Sequence, residues 1–232
     1  MSIHAGHRQR LKERFLKDGL DHFEEHQVLE LLLFYCIPRR DTNLLAHKLL
    51  DRFGTVTGVL NATPAQLQEI GGVGDSAAQF LRLIREANRY CRVKEVEGEG
   101  LTSIEMCCDY MIPYFEGKHN EVVYLLCLDA KCAVISCKMV GEGSVNSAGV
   151  PIRRIVEMAL TEGATTIVLA HNHPSGIAVP SAEDRVTTMR LARALSAVEI
   201  TLADHVVVAG NDAVSMAQSG WYVPKDYDLY DD

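Results

Sequence analysis

The segment from Thr166 to Asp184 constrains the fold of this chain most, because it reads as a buried strand, a loop and a helix start in succession. The apolar run at 166–170 predicts the strand, and Ser181 followed by Asp184 is typical of a helix N-terminus. His171 and His173 come directly after the strand, and in extended backbone residues i and i+2 point to the same side. The sequence therefore predicts that two imidazoles face one point near the start of a helix.

These residues could form a metal site. His171, His173 and Asp184 could occupy three corners of a zinc tetrahedron, and three protein ligands with an open fourth position are typical of a catalytic zinc. The alternative is that the histidines only cap the strand end, while Asp184 only occupies a helix N-terminus, where the dipole favours an acid. The two interpretations are compatible, because the helix start could hold Asp184 where both histidines reach it.

Charge divides the chain into two parts. Residues 1–92 contain 13 Lys and Arg against 11 Asp and Glu, a net charge of +2, whereas residues 93–232 contain 10 against 20, a net charge of −10. Residues 93–101 are charged and contain glycine, which is typical of a linker. We expect an all-helical domain at 1–92, a linker at 93–101 and a second domain at 102–232.

The composition indicates a folded protein, since 47% of the residues are apolar. No apolar run reaches the roughly 18 residues needed to span a bilayer, and residues 1–14 lack the apolar core of a signal peptide. The seven cysteines are odd in number and include no Cys-x-x-Cys pair, so we expect reduced thiols. Cys127, Cys132 and Cys137 are expected in the core. A cytoplasmic protein with no membrane partner is predicted.

The first domain is predicted to be wholly helical. Periodicity and punctuation place helices at 11–16, 24–35, 42–53 and 76–90. Thr63 followed by Pro64 marks a further helix start.

A turn containing Gly72 and Gly74 joins two of these predicted helices. The arrangement resembles the helix-hairpin-helix element of DNA-binding proteins, in which backbone N–H groups approach a phosphate. The alternative is a tight turn that needs glycine only for its backbone angles. Asp75 and the small surplus of positive charge weaken the nucleic-acid interpretation. Five basic side chains could still contact phosphates: Lys48, Arg82, Arg85, Arg89 and Arg92.

The second domain alternates strands and helices. Strands are predicted at 122–128, 133–139, 166–170, 200–202 and 205–209, and helices at 152–161 and 182–196. Residues 129–132 suit a hairpin. We therefore predict an α/β fold with a mixed β-sheet and flanking helices, preceded by the all-α domain.

The spacing His171-Asn172-His173-Pro174, six residues, Ser181, two residues, Asp184 resembles the JAMM metalloprotease motif. The string His-Asn-His-Pro-Ser-Gly is similar to the RadC branch of that family, as are the segments 150–155, 203–208 and 219–221. The helical first domain with its hairpin resembles the N-terminal region of that branch, so the resemblance covers nearly the whole chain. It implies a JAB/MPN-type fold that carries one Zn²⁺ on His171, His173 and Asp184.

The family pattern also requires a glutamate upstream of the histidines. Glu121 is the preferred candidate because it precedes the strand 122–128 as the family's glutamate precedes its own strand. Glu142, which lies between two glycines, is the alternative. The resemblance implies that this glutamate takes a proton from a zinc-activated water and later protonates the leaving amine.

Other residues are candidates for support of the site. The resemblance implies that Ser181 hydrogen-bonds the oxyanion or the water, although Ser181 can also cap the helix. Asp204 and His205 could accept hydrogen bonds from the zinc-binding imidazoles. The alternative is an Asp-His pair at a strand end with no link to the site.

Three functions follow from these patterns. The first is a zinc-dependent peptidase or isopeptidase that acts on a protein or peptide substrate. The second is a DNA-associated repair or recombination factor that binds through the hairpin, as the traditional label of the RadC family suggests. The third is an interaction module in which the metal only stabilises the fold. Asn172 replaces the Ser or Thr of the JAMM isopeptidases, and fold and metal do not specify the substrate.

Overall fold

The computed structural model describes residues 6–38, 40–97, 100–143 and 151–224. The chain divides into two compact units, Met1–Arg89 and Tyr90–Asp232. No helix in the described ranges combines the length and apolar character needed to cross a bilayer.

The first unit is helical. Its helices are α1 (His7–Asp18), α2 (Glu25–Cys36), α3 (Asn43–Phe53), α4 (Val56–Asn61), α5 (Pro64–Gln68) and the greater part of α6 (Asp75–Glu97). Its core contains buried leucines from α2, α3, α5 and α6. Thr63 caps α5 through a capping box, and Pro64 occupies the first turn, as the sequence predicts.

The second unit is a mixed sheet with helices on both faces. After α7 (Ile104–Phe115) come β1 (Val122–Leu128), β2 (Val134–Glu142), α8 (Ile152–Glu162), β3 (Thr166–Asn172), α9 (Ala182–Ser196), β4 (Thr201–Ala209) and β5 (Asp212–Ser215). The strand order is β2-β1-β3-β4-β5, and β3 and β4 are the parallel pair. The predicted α/β class with a mixed sheet is therefore confirmed.

Side chains alternate between the two faces of the sheet, as the period of two requires. Val168 and Ala170 of β3 pack in the cluster that contains α7. Ile167 and Leu169 pack in the opposite cluster, with side chains from α8 and α9. His171 continues the second set, so the strand register directs its imidazole toward the α9 side of the sheet.

The structure differs from the sequence predictions at several elements. The predicted strands 200–202 and 205–209 form one strand, β4, with an irregular register beside Ile167 and Val168. Buried Asp204 lies within it and accepts hydrogen bonds from main-chain N–H groups, so a polar residue does not end the strand. Helices α4 and α7 and strand β5 are additional elements. In α7, Pro113 lies inside the helix.

Two further predictions need correction. Residues 93–97 of the predicted linker continue helix α6, and residues 98–99 lie outside the described residues. Of the three cysteines predicted in the core, only Cys127 is buried. Cys132 lies in the β1–β2 turn with a positive φ of 61°, and Cys137 on β2 is half-buried.

Candidate metal centre

The two histidines converge at the C-terminal end of β3. His171 belongs to the strand, and His173 extends it by one hydrogen bond, from its main-chain N–H to the carbonyl of Val208 (2.8 Å). The extended backbone directs both rings to one side, and their Nε2 atoms lie 3.0 Å apart. His171 is fully buried, whereas 22% of the His173 side chain is exposed. The structure therefore brings the predicted pair together, and the His173 ring is partly exposed to solvent.

Asp184 reaches the same point from the start of α9. Its Oδ1 lies 3.4 Å from Nε2 of His171, and its Oδ2 lies 3.9 Å from Nε2 of His173. The carboxylate is held by Ser181, whose main-chain N–H and hydroxyl both donate to Oδ2 at 2.7 and 2.6 Å. Ser181 Oγ in turn accepts from the N–H of Asp184 in a capping box. The same Ser181–Asp184 hydrogen bonds therefore cap helix α9 and orient the candidate ligand.

Glu121 lies beside the histidines. One of its carboxylate oxygens and one ring nitrogen from each of His171 and His173 lie within 4.8 Å of one another, which makes these three residues a candidate metal-binding group. Burial raises the pKa of Glu121 above its ordinary value, His173 opposes that rise, and Asp184 adds to it. Glu142 is the exposed last residue of β2 and is not a member of this group.

Asn172 fixes the backbone that carries Glu121. Its side-chain Oδ1 accepts from the N–H of Val122 at 2.8 Å, and its Nδ2 donates to the carbonyl of Asn120 at 3.1 Å. These hydrogen bonds lie on either side of Glu121. In the sequence, Asn172 stands out only as a departure from the isopeptidase pattern. Asn172 lies between the histidines, so in an extended strand its side chain points to the opposite face from theirs. That position indicates a role other than metal binding.

His205 contacts His171 from the neighbouring strand. The Nδ1 of His171 lies 2.8 Å from Nε2 of His205, and Nδ1 of His205 lies 2.6 Å from the hydroxyl of Thr188 on α9. The contact agrees with the support expected from His205, whereas Thr188 was missed. Its spacing of four residues from Asp184 on one helix face could have indicated it.

Asp204 has a different task from the one predicted. Its Oδ1 accepts from the main-chain N–H groups of His205 at 2.7 Å and Ala217 at 2.9 Å, rather than from an imidazole. Burial raises the pKa of this carboxyl. Asp204 therefore joins β4 to the turn that follows β5.

The histidines are electrostatically suited to bind a cation. Burial, partly opposed by Asp184, lowers the pKa of His171 to about 4, and burial also places the pKa of His205 well below its ordinary value. Both rings are therefore neutral near pH 7. The Nδ1 of His173 lies 3.0 Å from the carbonyl of Ile177, which can only accept, so the neutral form of this ring carries its proton on Nδ1 and its lone pair on Nε2.

The arrangement fits a tetrahedral metal ion. Ligand nitrogens at Zn–N distances of 2.0–2.1 Å would lie about 3.3 Å apart in a tetrahedron. The observed separations of 3.0 Å between the two Nε2 atoms and 3.4 Å between Nε2 of His171 and Oδ1 of Asp184 are close to that value. Neutral imidazole and carboxylate are ligands that zinc accepts. The third separation, 3.9 Å between Nε2 of His173 and Oδ2 of Asp184, is longer, so metal binding would need a small movement of one of these two side chains.

In the first unit, the short helix α5, a turn that contains Gly72 and Gly74, and helix α6 follow one another. Gly72 has a φ of +114°, which only glycine adopts readily, whereas a Cβ on Gly74 would meet no atom within 4 Å. Several of the basic side chains are paired with acids: Arg82 and Arg89 with Glu86, and Arg92 with Glu116. Lys48 is exposed, and Arg85 is buried.

Comparisons with known proteins agree with the geometry. Residues 101–221 match the family model described as a RadC-like JAB domain. A UPF0758 protein of Idiomarina loihiensis is 32% identical over 213 residues, which cover 91% of this chain and 95% of that protein. A UPF0758 protein of Rhodobacter capsulatus is 35% identical over 211 residues, covering 90% and 99% respectively. The chain belongs to the RadC family and carries its JAB domain.

Proposed function

We propose that this protein is a zinc-dependent metallopeptidase or isopeptidase that hydrolyses an amide bond in a protein or peptide substrate. The observation that carries the proposal is the convergence of His171, His173 and Asp184 on one point, with Glu121 beside it. Two imidazoles, one carboxylate and an adjacent acid form the donor set of a hydrolytic zinc site.

His171, His173 and Asp184 would hold the zinc. When bound, zinc supplies a Lewis acid that lowers the pKa of a coordinated water and polarises the amide carbonyl. Glu121 is the general base: its carboxylate takes the proton of the attacking water and later delivers it to the leaving amine. Its raised pKa suits both steps, because such a group accepts and releases a proton more readily near neutral pH.

Ser181 has a structural task as well as the catalytic one that we propose. Its hydroxyl proton is directed to Oδ2 of Asp184 at 2.6 Å, so in this arrangement it orients a ligand. A hydroxyl carries a single proton. Donation to an oxyanion therefore requires the Ser181 hydroxyl to turn away from Asp184 during the reaction.

A peptide library tests the function without a known substrate. The purified zinc-loaded protein is incubated with a proteome-derived peptide mixture that includes lysine-branched peptides, and new termini are identified by mass spectrometry. Glu121→Gln should keep about one zinc per chain and produce no new termini. Glu142→Gln is the matched control and should cleave as the wild type does. Full cleavage by Glu121→Gln would reject the assigned base.

The remaining functions predict different results. If the metal only stabilises an interaction module, removal of zinc lowers the melting temperature while no peptide is ever cleaved. Binding of DNA through the hairpin is independent of the metal centre. The ion pairs of Arg82, Arg89 and Arg92 reduce the free positive charge available for phosphates, which favours the peptidase as the leading proposal.

A further inference from the structure

A chain of buried hydrogen bonds connects the candidate ligand His171 to helix α9. It runs from Nδ1 of His171 to Nε2 of His205 (2.8 Å), from Nδ1 of His205 to Oγ1 of Thr188 (2.6 Å), and from Oγ1 of Thr188 to the carbonyl of Asp184 (2.6 Å). All three residues that supply side chains to it are fully buried. Solvent therefore does not compete for these groups.

The last member of this series of hydrogen bonds, the carbonyl of Asp184, determines the direction in which each proton points. A carbonyl oxygen only accepts, so the single hydroxyl proton of Thr188 points to Asp184. The Thr188 oxygen then accepts, and Nδ1 of His205 must be its donor. Neutral His205 consequently presents a bare Nε2, which accepts from Nδ1–H of His171. The proton of neutral His171 is thereby placed on Nδ1, and its Nε2 lone pair faces His173 and Asp184.

The reverse arrangement is less favourable. With all protons turned round, the Thr188 hydroxyl would donate to His205, and His171 would carry its proton on Nε2. That arrangement supplies a proton between Nε2 of His171 and Nε2 of His173, which lie 3.0 Å apart. It leaves Oγ1 of Thr188 and the carbonyl oxygen of Asp184 without a proton between them at 2.6 Å. Two acceptors at that separation repel each other, and the cost is high inside a protein.

We propose that Thr188 and His205 are positioning residues that hold His171 in the tautomer whose Nε2 can bind the metal. His173 reaches the same state directly, through the carbonyl of Ile177. Both Nε2 atoms, 3.0 Å apart, are then available to bind one cation. This inference deepens the proposed function and rests on it, because it concerns the nitrogen that would bind the zinc.

The tautomers can be observed in metal-free protein. Long-range ¹H–¹⁵N correlation spectra report which ring nitrogen carries the proton, and His171 and His205 should both be protonated at Nδ1. A wild-type His171 protonated at Nε2 would overturn the proposal. This readout does not involve catalysis, so it is separate from any failure to detect hydrolysis.

Two substitutions of Thr188 separate the hydroxyl from the shape of the side chain. Thr188→Val replaces the hydroxyl with a methyl group of similar size, so His171 should populate both tautomers and the zinc affinity should fall about 10- to 100-fold in competition with a chromophoric chelator. Thr188→Ser is the matched control and should keep the wild-type spectrum and affinity. Unchanged tautomers and affinity in a folded Thr188→Val protein would overturn the proposal. Wild-type protein that binds no zinc would instead refute the proposed function.

Discussion

Asn172 provides the sharpest prediction about the geometry of this site. This residue is 5% exposed, and its side chain makes two hydrogen bonds to the main chain on either side of Glu121. Asn172→Ala removes both bonds and leaves the N–H of buried Val122 without its partner. A buried N–H donor left without a partner lowers stability by about 1–3 kcal/mol, and an ordinary hydrogen bond contributes about 0.5–1.5 kcal/mol to stability. Because the Asn120 carbonyl is at an exposed residue and can bind water, we expect a loss of about 2–3 kcal/mol.

The assay is urea unfolding of metal-free protein, followed by zinc affinity and peptide cleavage of the same variant. The free energy of unfolding should fall by the stated amount, and cleavage should fall further than zinc affinity, because the substitution displaces Glu121 and leaves the proposed ligands unchanged. Asn120→Ala keeps the main-chain carbonyl and is the control; it should behave as the wild type does. An Asn172→Ala protein as stable as the wild type, with full cleavage, would refute the reasoning.

Three further predictions follow from the site and the hairpin. Burial lowers the folded-state pKa of His171 to about 4 and that of His205 well below normal. As pH falls, the unfolded chain therefore binds protons before the folded protein does. The free energy of unfolding of metal-free protein should decrease as pH is lowered from about 6.5 to 4, by about 3 kcal/mol from His171 alone. Urea unfolding at several pH values measures this change, and a free energy of unfolding that increases as pH is lowered from about 6.5 to 4 would contradict it. Ser181→Ala removes two hydrogen bonds to Asp184, the helix cap on its N–H and the donation to its carboxylate, so stability should fall by about 1 kcal/mol and zinc affinity should fall with it. Calorimetry measures both quantities, and unchanged values for both would contradict this role of Ser181. If DNA binds at the hairpin, Gly74→Glu adds a charge where a Cβ meets open space, so affinity in a fluorescence titration should drop and should also weaken with salt; binding that is insensitive to both would exclude that interface.

The sequence predicted the elements that have strong local signals. Strand β1 and helix α9 have the predicted bounds, because an apolar run and a Ser181 cap mark them without reference to other parts of the chain. Helix α7 starts at a Ser103 cap, whose hydroxyl accepts from the N–H of Met106, but Pro113 lies within the helix and its apolar side chains pack on the sheet, so its helical pattern is weaker. Its stability comes from tertiary packing rather than from propensity.

The residues of the candidate site also fall into those that local sequence signals predict and those that depend on tertiary contacts. His171, His173 and Asp184 follow from spacing, strand alternation and the capping motif, which are local properties. Asn172 and Thr188 act through partners that are distant in sequence: Val122, 50 residues away, and His205, 17 residues away. Those contacts depend on which strands are neighbours, and strand order is not a local property of the sequence.

The most direct test of the metal centre is anomalous X-ray diffraction above and below the zinc edge, on crystals of protein purified without chelator. We expect one peak that appears above the edge, about 2.0–2.2 Å from Nε2 of His171, from Nε2 of His173 and from a carboxylate oxygen of Asp184. A zinc peak bound by other residues, or no peak at this point in zinc-loaded crystals, would contradict the account.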